Sequence, residues 1–478
     1  MGFVAAVDLG GSSGRVVVGE ADAAKLSLHP VARFPTERVT RRVGGHESLL
    51  WQIDELYEHV LAGVDAALRE APQLISLGID SWGVDYGLIR GGTLLELPHH
   101  YRDDRTRDAI AWVHRSVPPE TLYRQNGLQF LPFNTLYQLT ADRLVGQLGT
   151  AERMLLIPDL LTYWLTGEQV AERTNASTTG LLDFSGQWNR PLIDTLSLPP
   201  ELFPELVNPG IPIGELQPSL HAGTGLGRSV TVTAVGSHDT ASAVVGVPMR
   251  ADHAAYISCG TWSLIGVELE HPVVTDAARR ANFTNERGVD GRVLFLRNVM
   301  GMWILNEAIR QWCDDDTTMP LDQILAQAAQ IDSPVPIFDV NDTRFLTPGR
   351  MDARIMSWFG EREMPYPSTL PQIVRSVLES LAVSYASTLQ EAEDLSGVPI
   401  QAVHLVGGGS QNELLCQLTA DRTGHPLLAG PVEATAIGNI LIQARSFGFV
   451  NGDLETLRAL IAAHFPSRVY KPRGAVPR

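Results

Sequence analysis

Two short segments of the chain combine residue types that could bind a polyphosphate and accept a proton. The turn Gly10-Gly11-Ser12-Ser13-Gly14-Arg15 follows Asp8 near the start of the chain. Successive backbone N–H groups in such a turn form a concavity that binds anions, and the hydroxyls and Arg15 would add donors and charge. In Gly236-Ser237-His238-Asp239-Thr240, the Asp239 carboxylate is suited to take a proton from a hydroxyl nucleophile. An ordinary hairpin turn and a helix N-cap remain alternative interpretations of the two segments.

Three further glycine-containing segments have residue types suited to binding. In the segment 78–86, Asp80, Asp85 and Trp82 could hydrogen-bond hydroxyl groups and pack on a sugar face, or form a capped turn with a core tryptophan. Gly407-Gly408-Gly409 leaves room for a nucleotide base before a predicted helix, or is simply a flexible turn. Gly260-Thr261 follows a predicted strand, as the first turn does, and could be a second phosphate site.

Gly10 to Gly14 also matches the G-x-S-x-G pattern of hydrolase nucleophile elbows. That motif requires a helix directly after the turn, whereas Val16-Val17-Val18 predicts a strand. The context therefore disfavours a serine hydrolase. Labelling of Ser12 by a serine-reactive fluorophosphonate would support that hypothesis instead. No Walker A pattern occurs in the chain.

The elements around these segments predict an α/β architecture. Strands are expected at 3–8, 16–18 and 74–79, with an amphipathic helix between the last two that uses Ile53, Leu56, Val60, Leu61, Val64 and Leu68. The second half repeats this theme without a sequence repeat. It has predicted strands at 254–258 and 402–406 and a long helix over 373–389, for which Ser368 is a candidate cap.

Length and composition restrict the class of protein. The 478 residues suffice for roughly two or three domains. Acidic residues outnumber basic ones by 54 to 37, and a net charge of −17 disfavours nucleic acid and anionic membranes as partners. Three dispersed cysteines and the lack of a signal peptide or a run of about 18 apolar residues predict a soluble cytoplasmic protein. The sequence makes no prediction about protein partners.

Taken in order, these segments resemble the FGGY family of carbohydrate kinases, from about Val4 to Ala444. Several phrases are narrower and resemble the members that phosphorylate L-rhamnulose: Tyr101-Arg102-Asp103, 129–137, 174–179, 237–243 and 430–434. The resemblance implies two actin-like ATPase (ribonuclease H-like) domains with an interdomain cleft. We place an N-terminal FGGY kinase domain at 1–245, a C-terminal one at 246–465, and a basic tail, expected to fray, at 466–478.

The resemblance implies an ATP-dependent sugar kinase of L-rhamnose catabolism that uses Mg²⁺ and makes L-rhamnulose 1-phosphate and ADP. A sibling kinase for L-fuculose, a pentulose or another ketose is the alternative, because a pocket rejects a missing methyl group by only about 1–3 kcal/mol. A sugar or nucleotide sensor on the same fold is the non-enzymatic alternative. The intact His238-Asp239-Thr240 disfavours it, because a sensor has no need of a base.

The same resemblance assigns roles to individual residues. Asp239 would be the general base, and Asp8 would organise magnesium through water. The remaining substrate contacts would be Gly83, His238, Thr240 and Asn298, and the ATP contacts would be Gly11, Ser12, Ser13, Gly14, Arg15, Thr261, Asn306, Gly407, Gly408 and Gly409. Two positions depart from the family pattern. Asn306 stands where a glutamine, with its longer reach, is expected, and Gly11 replaces a more usual alanine without steric consequence.

Overall fold

A computed structural model describes residues 2–221, 229–250, 253–314, 319–332 and 334–474 of the chain. Its strands are β1 Gly2–Leu9, β2 Ser13–Ala21, β3 Leu26–Pro35, β4 Arg38–Val43, β5 His46–Trp51, β6 Ser76–Ser81, β7 Tyr86–Arg90, β8 Thr93–Leu94, β9 Arg153–Leu156, β10 Val170–Glu172, β11 Glu205–Val207, β12 Pro212–Glu215, β13 Thr231–Thr233, β14 Ala254–Cys259, β15 Trp262–Leu269, β16 Thr284–Arg287, β17 Val293–Met300, β18 Ala402–Val406, β19 Leu427–Ala429 and β20 Arg468–Tyr470. Its α-helices are α1 Ile53–Glu70, α2 Arg107–Ser116, α3 Pro119–Asn126, α4 Thr135–Leu144, α5 Ile157–Thr166, α6 Arg173–Ala176, α7 Arg190–Thr195, α8 Pro218–His221, α9 Asp239–Val245, α10 Asp276–Arg280, α11 Trp303–Asp314, α12 Leu321–Ala329, α13 Met351–Gly360, α14 Leu370–Ser396, α15 Glu413–Thr423, α16 Ala434–Ser446 and α17 Leu454–His464.

The chain divides into two compact units. Unit 1 contains Met1–Pro248, Glu268–Phe295 and Glu433–Pro466, and unit 2 contains Met249–Val267, Leu296–Val432 and Ser467–Arg478. The sequence places a single domain boundary at 245/246, whereas the chain crosses between the units several times. That boundary, and the interdomain cleft implied by the resemblance, stay predictions. Among the residues described, no helix has both the length and the apolar character needed to cross a bilayer.

Unit 1 is built on a six-stranded mixed sheet in the order β12-β13-β6-β1-β2-β3. β1 and β2 form an antiparallel hairpin, which agrees with the predicted strand, turn and strand, and its register places Asp8 opposite Arg15. β6 and β13 then add in parallel on the other side of β1. Because β1 and β6 are parallel and each has an acid one residue before its end, the register places Asp8 directly beside Asp80.

A glycine contact joins two helices of unit 1. A Cβ atom added at Gly438 of α16 would lie 1.9 Å from the backbone oxygen of Ser242 in α9. In the same region, a Cβ atom at Gly246 would lie 2.0 Å from the backbone oxygen of Ala434. The two backbones therefore touch, and α16 fixes the position of α9 behind the residues at its start.

Unit 2 has a sheet whose strand order matches that of unit 1. Six of its strands follow one another as β17-β15-β14-β18-β19-β20, with β14–β15 antiparallel and β14–β18 and β18–β19 parallel. The predicted similarity of the two halves is thus a repeat of topology. Arg468–Tyr470 pairs with β19, so the expectation that the basic tail frays is wrong for these residues, while 475–478 lie outside the described residues.

The N-cap of the long helix α14 lies one residue after the predicted cap. Thr369, not Ser368, is the N-cap residue, and it forms a reciprocal capping box with Gln372. Ser368 instead contacts the same glutamine side chain from outside the helix. A serine and a threonine in sequence offer the same capping chemistry, so only the backbone conformation decides between them.

Candidate functional site

The predicted base Asp239 stands at the start of α9 with its side chain 30% exposed. The N-cap residue of this helix is His238, which makes no side-chain capping bond. The Asp239 carboxylate accepts a hydrogen bond from the hydroxyl of the neighbouring Thr240 at 3.1 Å. The helix-cap interpretation of this acid is therefore wrong, and the carboxylate is accessible to a ligand.

A buried glutamate fixes the turn that carries Asp239. Glu172, at the end of β10, accepts hydrogen bonds from the backbone N–H and hydroxyl of Ser237, at 3.0 and 2.8 Å. It also accepts bonds from the Thr174 backbone N–H and hydroxyl and from the Asn175 backbone N–H. Five donors on a single carboxylate hold the backbone of the turn in one conformation.

The Gly83 turn lies beside the Asp239 turn. Ser81 donates its backbone N–H to Ser237 O at 2.9 Å, and the Asn175 amide also donates to Ser237 O, at 3.2 Å. At Gly83 a Cβ atom would come within 2.8 Å of the Thr178 hydroxyl, so a side chain would disturb the turn. The next residue, Val84, has a φ of 69°, a costly conformation for a β-branched residue that the hydrogen bonds of the turn maintain.

Three carboxylates interact in this part of unit 1. Burial raises the pKa of Asp80 well above its ordinary value, and the charges of Asp8 and Asp239 raise it further. Burial also raises the pKa of Asp239, and Asp8 adds to this increase while His238 opposes it. One oxygen of Asp80, Oδ1, is buried and has no hydrogen-bond partner in the part of the chain that the structure describes. These raised pKa values reflect burial and mutual repulsion, and a nearby positive charge would oppose both.

The guanidinium of Arg15 is already paired in this structure. It contacts Asp8 through Nε at 2.9 Å and Nη2 at 2.8 Å, and it also pairs with Glu433. Burial lowers the pKa of Arg15, but the two carboxylates outweigh this effect and raise it. In this structure the positive charge of Arg15 therefore neutralises acidic side chains of its own unit.

The glycine-rich turn between β1 and β2 is closed by its own backbone. Gly10 donates to Ser13 O at 2.9 Å, and the Thr36 hydroxyl donates to Gly10 O at 2.9 Å. Ser12 is exposed at the tip, while Gly14 is buried against the ring of Phe34. The exposed tip, residues 11–13, is thus the part of the turn that can meet a ligand.

For the segment that contains Asp85, the sequence leaves hydroxyl binding and a capped turn open, and the structure places Asp85 in a structural role. Its carboxylate is buried and accepts hydrogen bonds from Trp51 Nε1 at 2.7 Å, Trp82 Nε1 at 3.1 Å, the Tyr101 backbone N–H at 3.1 Å and Gln138 Nε2 at 3.0 Å. Burial raises the pKa of Asp85 to about 6, although these donors oppose the shift. Asp85 therefore organises an aromatic cluster next to the Gly83 turn.

In unit 2, glycines bring two predicted nucleotide segments close to the end of β14. Cβ atoms at Gly407 and Gly409 would lie 2.9 Å from Cys259 O and 2.1 Å from Cys259 Sγ, whereas one at Gly408 would meet nothing within 4 Å. The Gly260 turn contacts the start of α11, where Met302 donates its backbone N–H to Gly260 O at 3.0 Å.

The other predicted residues of unit 2 are at least partly accessible. Thr261 is partly buried in its turn, and its backbone oxygen accepts a bond from Trp303 N at 3.2 Å. Asn298 is partly buried on β17, and Asn306 is exposed on α11.

The predicted residues therefore fall into two groups. Unit 1 carries Asp8, 11–15, Gly83 and 238–240, and unit 2 carries Thr261, Asn298, Asn306 and 407–409. Sequence reasoning missed the residues that support the unit 1 group: Glu172, Asn175, Glu286, Asn439 and Glu433. A partial signal existed, because Asn175 and Glu433 lie within the phrases 174–179 and 430–434.

Comparisons with known proteins place these observations in a family. Residues 3–246 match the N-terminal domain, and residues 255–447 the C-terminal domain, of the FGGY family of carbohydrate kinases. Proteins named rhamnulokinase from Bacteroides thetaiotaomicron, Pectobacterium atrosepticum and Bacillus subtilis are 39%, 40% and 38% identical to the chain. Each match covers 98% of this chain and 95%, 93% and 95% of the relative.

Solved structures of sugar kinases share the fold. A xylulose kinase from Lactobacillus acidophilus matches with a TM-score of 0.78 at 16% identity, covering 99% of this chain and 94% of the other. A glycerol kinase from Plasmodium falciparum, solved with ADP, matches with a TM-score of 0.74 at 14% identity, covering 99% and 94%. The predicted two-domain α/β fold and the carbohydrate kinase activity are confirmed, and the chain belongs to the FGGY family of carbohydrate kinases.

Proposed function

We propose that the chain transfers the γ-phosphoryl group of ATP to the 1-hydroxyl of L-rhamnulose, with Asp239 as the general base. The observation that carries the proposal is the position of this carboxylate. It is partly exposed, free of a capping role, and held beside the Gly83 turn by Glu172. The rhamnulokinase names of the full-length relatives support the choice of sugar.

The reaction follows from the chemistry of the site. A sugar hydroxyl is a weak nucleophile, so it gains from a base within hydrogen-bond reach. As the bond between the hydroxyl oxygen and the γ-phosphorus forms, the bond from that phosphorus to the bridging oxygen of ADP breaks, and the hydroxyl proton passes to an Asp239 oxygen. His238, Thr240, Gly83 and Asn298 would hold the sugar. Alignment and charge stabilisation supply most of the rate in such transfers.

The predicted ATP contacts keep their assignments as part of this proposal. The turn of residues 11–15 would meet the phosphates through backbone N–H groups and hydroxyls, as would Thr261. Arg15 would exchange part of its pairing with Asp8 and Glu433 for phosphate oxygens. Gly408, where an added Cβ atom would meet nothing within 4 Å, and its neighbours Gly407 and Gly409 would accept the adenosine end, and Asn306 would be a further nucleotide contact.

The carboxylates of unit 1 fit a magnesium ion. Mg²⁺ prefers oxygen ligands and usually keeps several waters while using one or two carboxylates. Asp8 lies beside Asp80, whose buried Oδ1 has no partner among the described residues, so an acceptor is available there. We assign Asp8 a contact through water. When bound with ATP, the ion would neutralise charge on the phosphates.

The proposed location is the cytoplasm. Two of the cysteines, Cys259 and Cys416, are buried free thiols, which supports a reducing compartment. The sugar and ATP are the partners that the proposal requires.

A ketose panel tests the proposed function. ADP release is measured with L-rhamnulose, L-fuculose, L-ribulose and L-xylulose at equal concentration, with ATP and Mg²⁺, and without sugar as the blank. We expect the largest kcat/KM for L-rhamnulose. A higher value for another ketose would identify a sibling kinase, and nucleotide binding without ADP release for any sugar would identify a sensor.

A further inference from the structure

Both ring nitrogens of His238 face a carboxylate. His238 Nδ1 lies 3.3 Å from Glu286 Oε2, and His238 Nε2 lies 3.6 Å from Asp239 Oδ1. The His238 and Glu286 side chains are only 7% and 6% exposed, so water screens their interaction weakly. Glu286 lies on β16, far along the chain from the turn that it contacts.

This arrangement selects one protonation state of the imidazole. A neutral ring has one N–H and one lone pair, and here the lone pair would point at a carboxylate whichever nitrogen carried the proton. A doubly protonated ring instead places its positive charge between the two acids, as an ion-pair contact with each rather than as formed hydrogen bonds. Burial opposes the charge, yet Glu286, Asp239 and Glu172 outweigh it and raise the pKa of His238.

We propose that Glu286 is a positioning residue for the phosphoryl transfer: its carboxylate holds the His238 ring in the orientation and protonated form that face Asp239. This inference rests on the proposed function of Asp239. The imidazolium keeps the base ionised at neutral pH, against the burial of Asp239 and the charges of Asp8 and Asp80. Glu286 itself touches neither the sugar hydroxyl nor the phosphate in this account.

The hydrogen bonds of the turn restrict the effect of losing Glu286 to the imidazole ring of His238. His238 donates its backbone N–H to the Thr174 hydroxyl at 3.2 Å, and Glu172 fixes Ser237, so the backbone is held without Glu286. Loss of the Glu286 charge therefore changes the state of the His238 side chain and leaves the turn in place. A conservative variant is available, since Glu286→Asp keeps the charge at a shorter reach.

Two measurements on Glu286→Gln test the proposal. The first is the pH dependence of kcat/KM for L-rhamnulose. Losing an opposite charge at this distance lowers the pKa of His238 by about 1 unit or more, so the variant should lose the protonated ring at lower pH than the wild type. We therefore expect the alkaline limb of the profile to move to lower pH by that amount. Activity should approach the wild-type value toward acidic pH, where His238 is protonated in both proteins, and Glu286→Asp should lie between the two.

The second measurement is the titration of ¹³C-labelled histidine by NMR, with the His238 signal identified by its loss in His238→Gln. We expect the His238 ring to remain protonated to higher pH in the wild type than in Glu286→Gln. The control variant is Glu270→Gln, because the Glu270 side chain is 78% exposed, and it should change neither measurement.

The outcomes separate this inference from the proposed function. If the wild type shows no ADP release with any ketose, the proposed function fails, and the NMR titration still decides whether Glu286 sets the state of His238. If Glu286→Gln lowers the rate equally at every pH and His238 titrates as in the wild type, the positioning role is wrong and the glutamate is merely structural.

Discussion

The contact between α16 and α9 gives a prediction that links packing to catalysis. Gly438 allows the two helices to touch, since a Cβ atom there would lie 1.9 Å from Ser242 O and 3.1 Å from Val245 Cβ. An ordinary contact needs roughly 3.5 Å, so Gly438→Ala must move α9 by about 1.5 Å. Because α9 begins at Asp239, this movement displaces the proposed base.

The expected loss of stability in Gly438→Ala follows from two opposing effects. Overpacking costs about 1–3 kcal/mol, and the upper end applies because the clash is with backbone that cannot rotate away. Alanine in a helix interior recovers about 1 kcal/mol relative to glycine. The net loss of about 2 kcal/mol lowers the apparent Tm by roughly 4 °C or more. Misplacing a catalytic group by about 1 Å can lower kcat by about 10²-fold.

Calorimetry and steady-state ADP release measure the two effects in the same preparations. The matched control is Gly360→Ala at the end of α13, where an added Cβ atom meets nothing within 4 Å. We expect the control to keep wild-type Tm and kcat. If Gly438→Ala behaves like Gly360→Ala in both assays, the helix contact does not position Asp239 and the reasoning is refuted.

Two other carboxylates give predictions about stability. Asp85 has its pKa raised from 3.8 to about 6, so it binds a proton more readily when folded. Its stabilising contribution, about 3 kcal/mol, is present below pH 4 and is lost as the pH rises through 6. Urea denaturation of Asp85→Asn should lack this decline, and an identical slope would contradict it. In Glu172→Gln an NH2 group replaces one of the two acceptor oxygens and must face a buried backbone N–H of Thr174 or Ser237. We expect this unpaired donor to cost about 1–3 kcal/mol of stability and to lower kcat. The exposed Glu168→Gln should show neither change.

The sequence predicts the local elements of the site well. Alternating and continuous apolar runs identify β1, β6, β14 and β18, and the β-branched run 16–18 correctly predicts a strand where a hydrolase elbow needs a helix. These features depend on neighbours in sequence, which is why pattern and propensity suffice. The family phrases include Asp239 and its turn, and the role of Asp239 stays a prediction.

The supporting contacts could not be predicted because they join distant segments. Glu172 binds Ser237 across 65 positions, and Asn439 donates to Asp80 across 359 positions. A glutamate in sequence carries no mark of the five donors that it meets in the fold. Asp85 shows the opposite case. Its place after a predicted strand left a ligand contact open, whereas indole and amide donors from other segments bind its carboxylate.

The most direct test of the central claim compares the wild type with Asp239→Asn during phosphoryl transfer from ATP to L-rhamnulose. Phosphorus NMR follows the ATP, ADP and sugar phosphate signals together. We expect the wild type to form ADP and a single phosphate monoester at the 1-hydroxyl in equal amounts. The variant, which keeps the shape of the side chain but cannot accept the proton, should lower kcat by about 10²-fold or more. Unaltered turnover in Asp239→Asn, or ADP formed without sugar phosphate, would contradict the account.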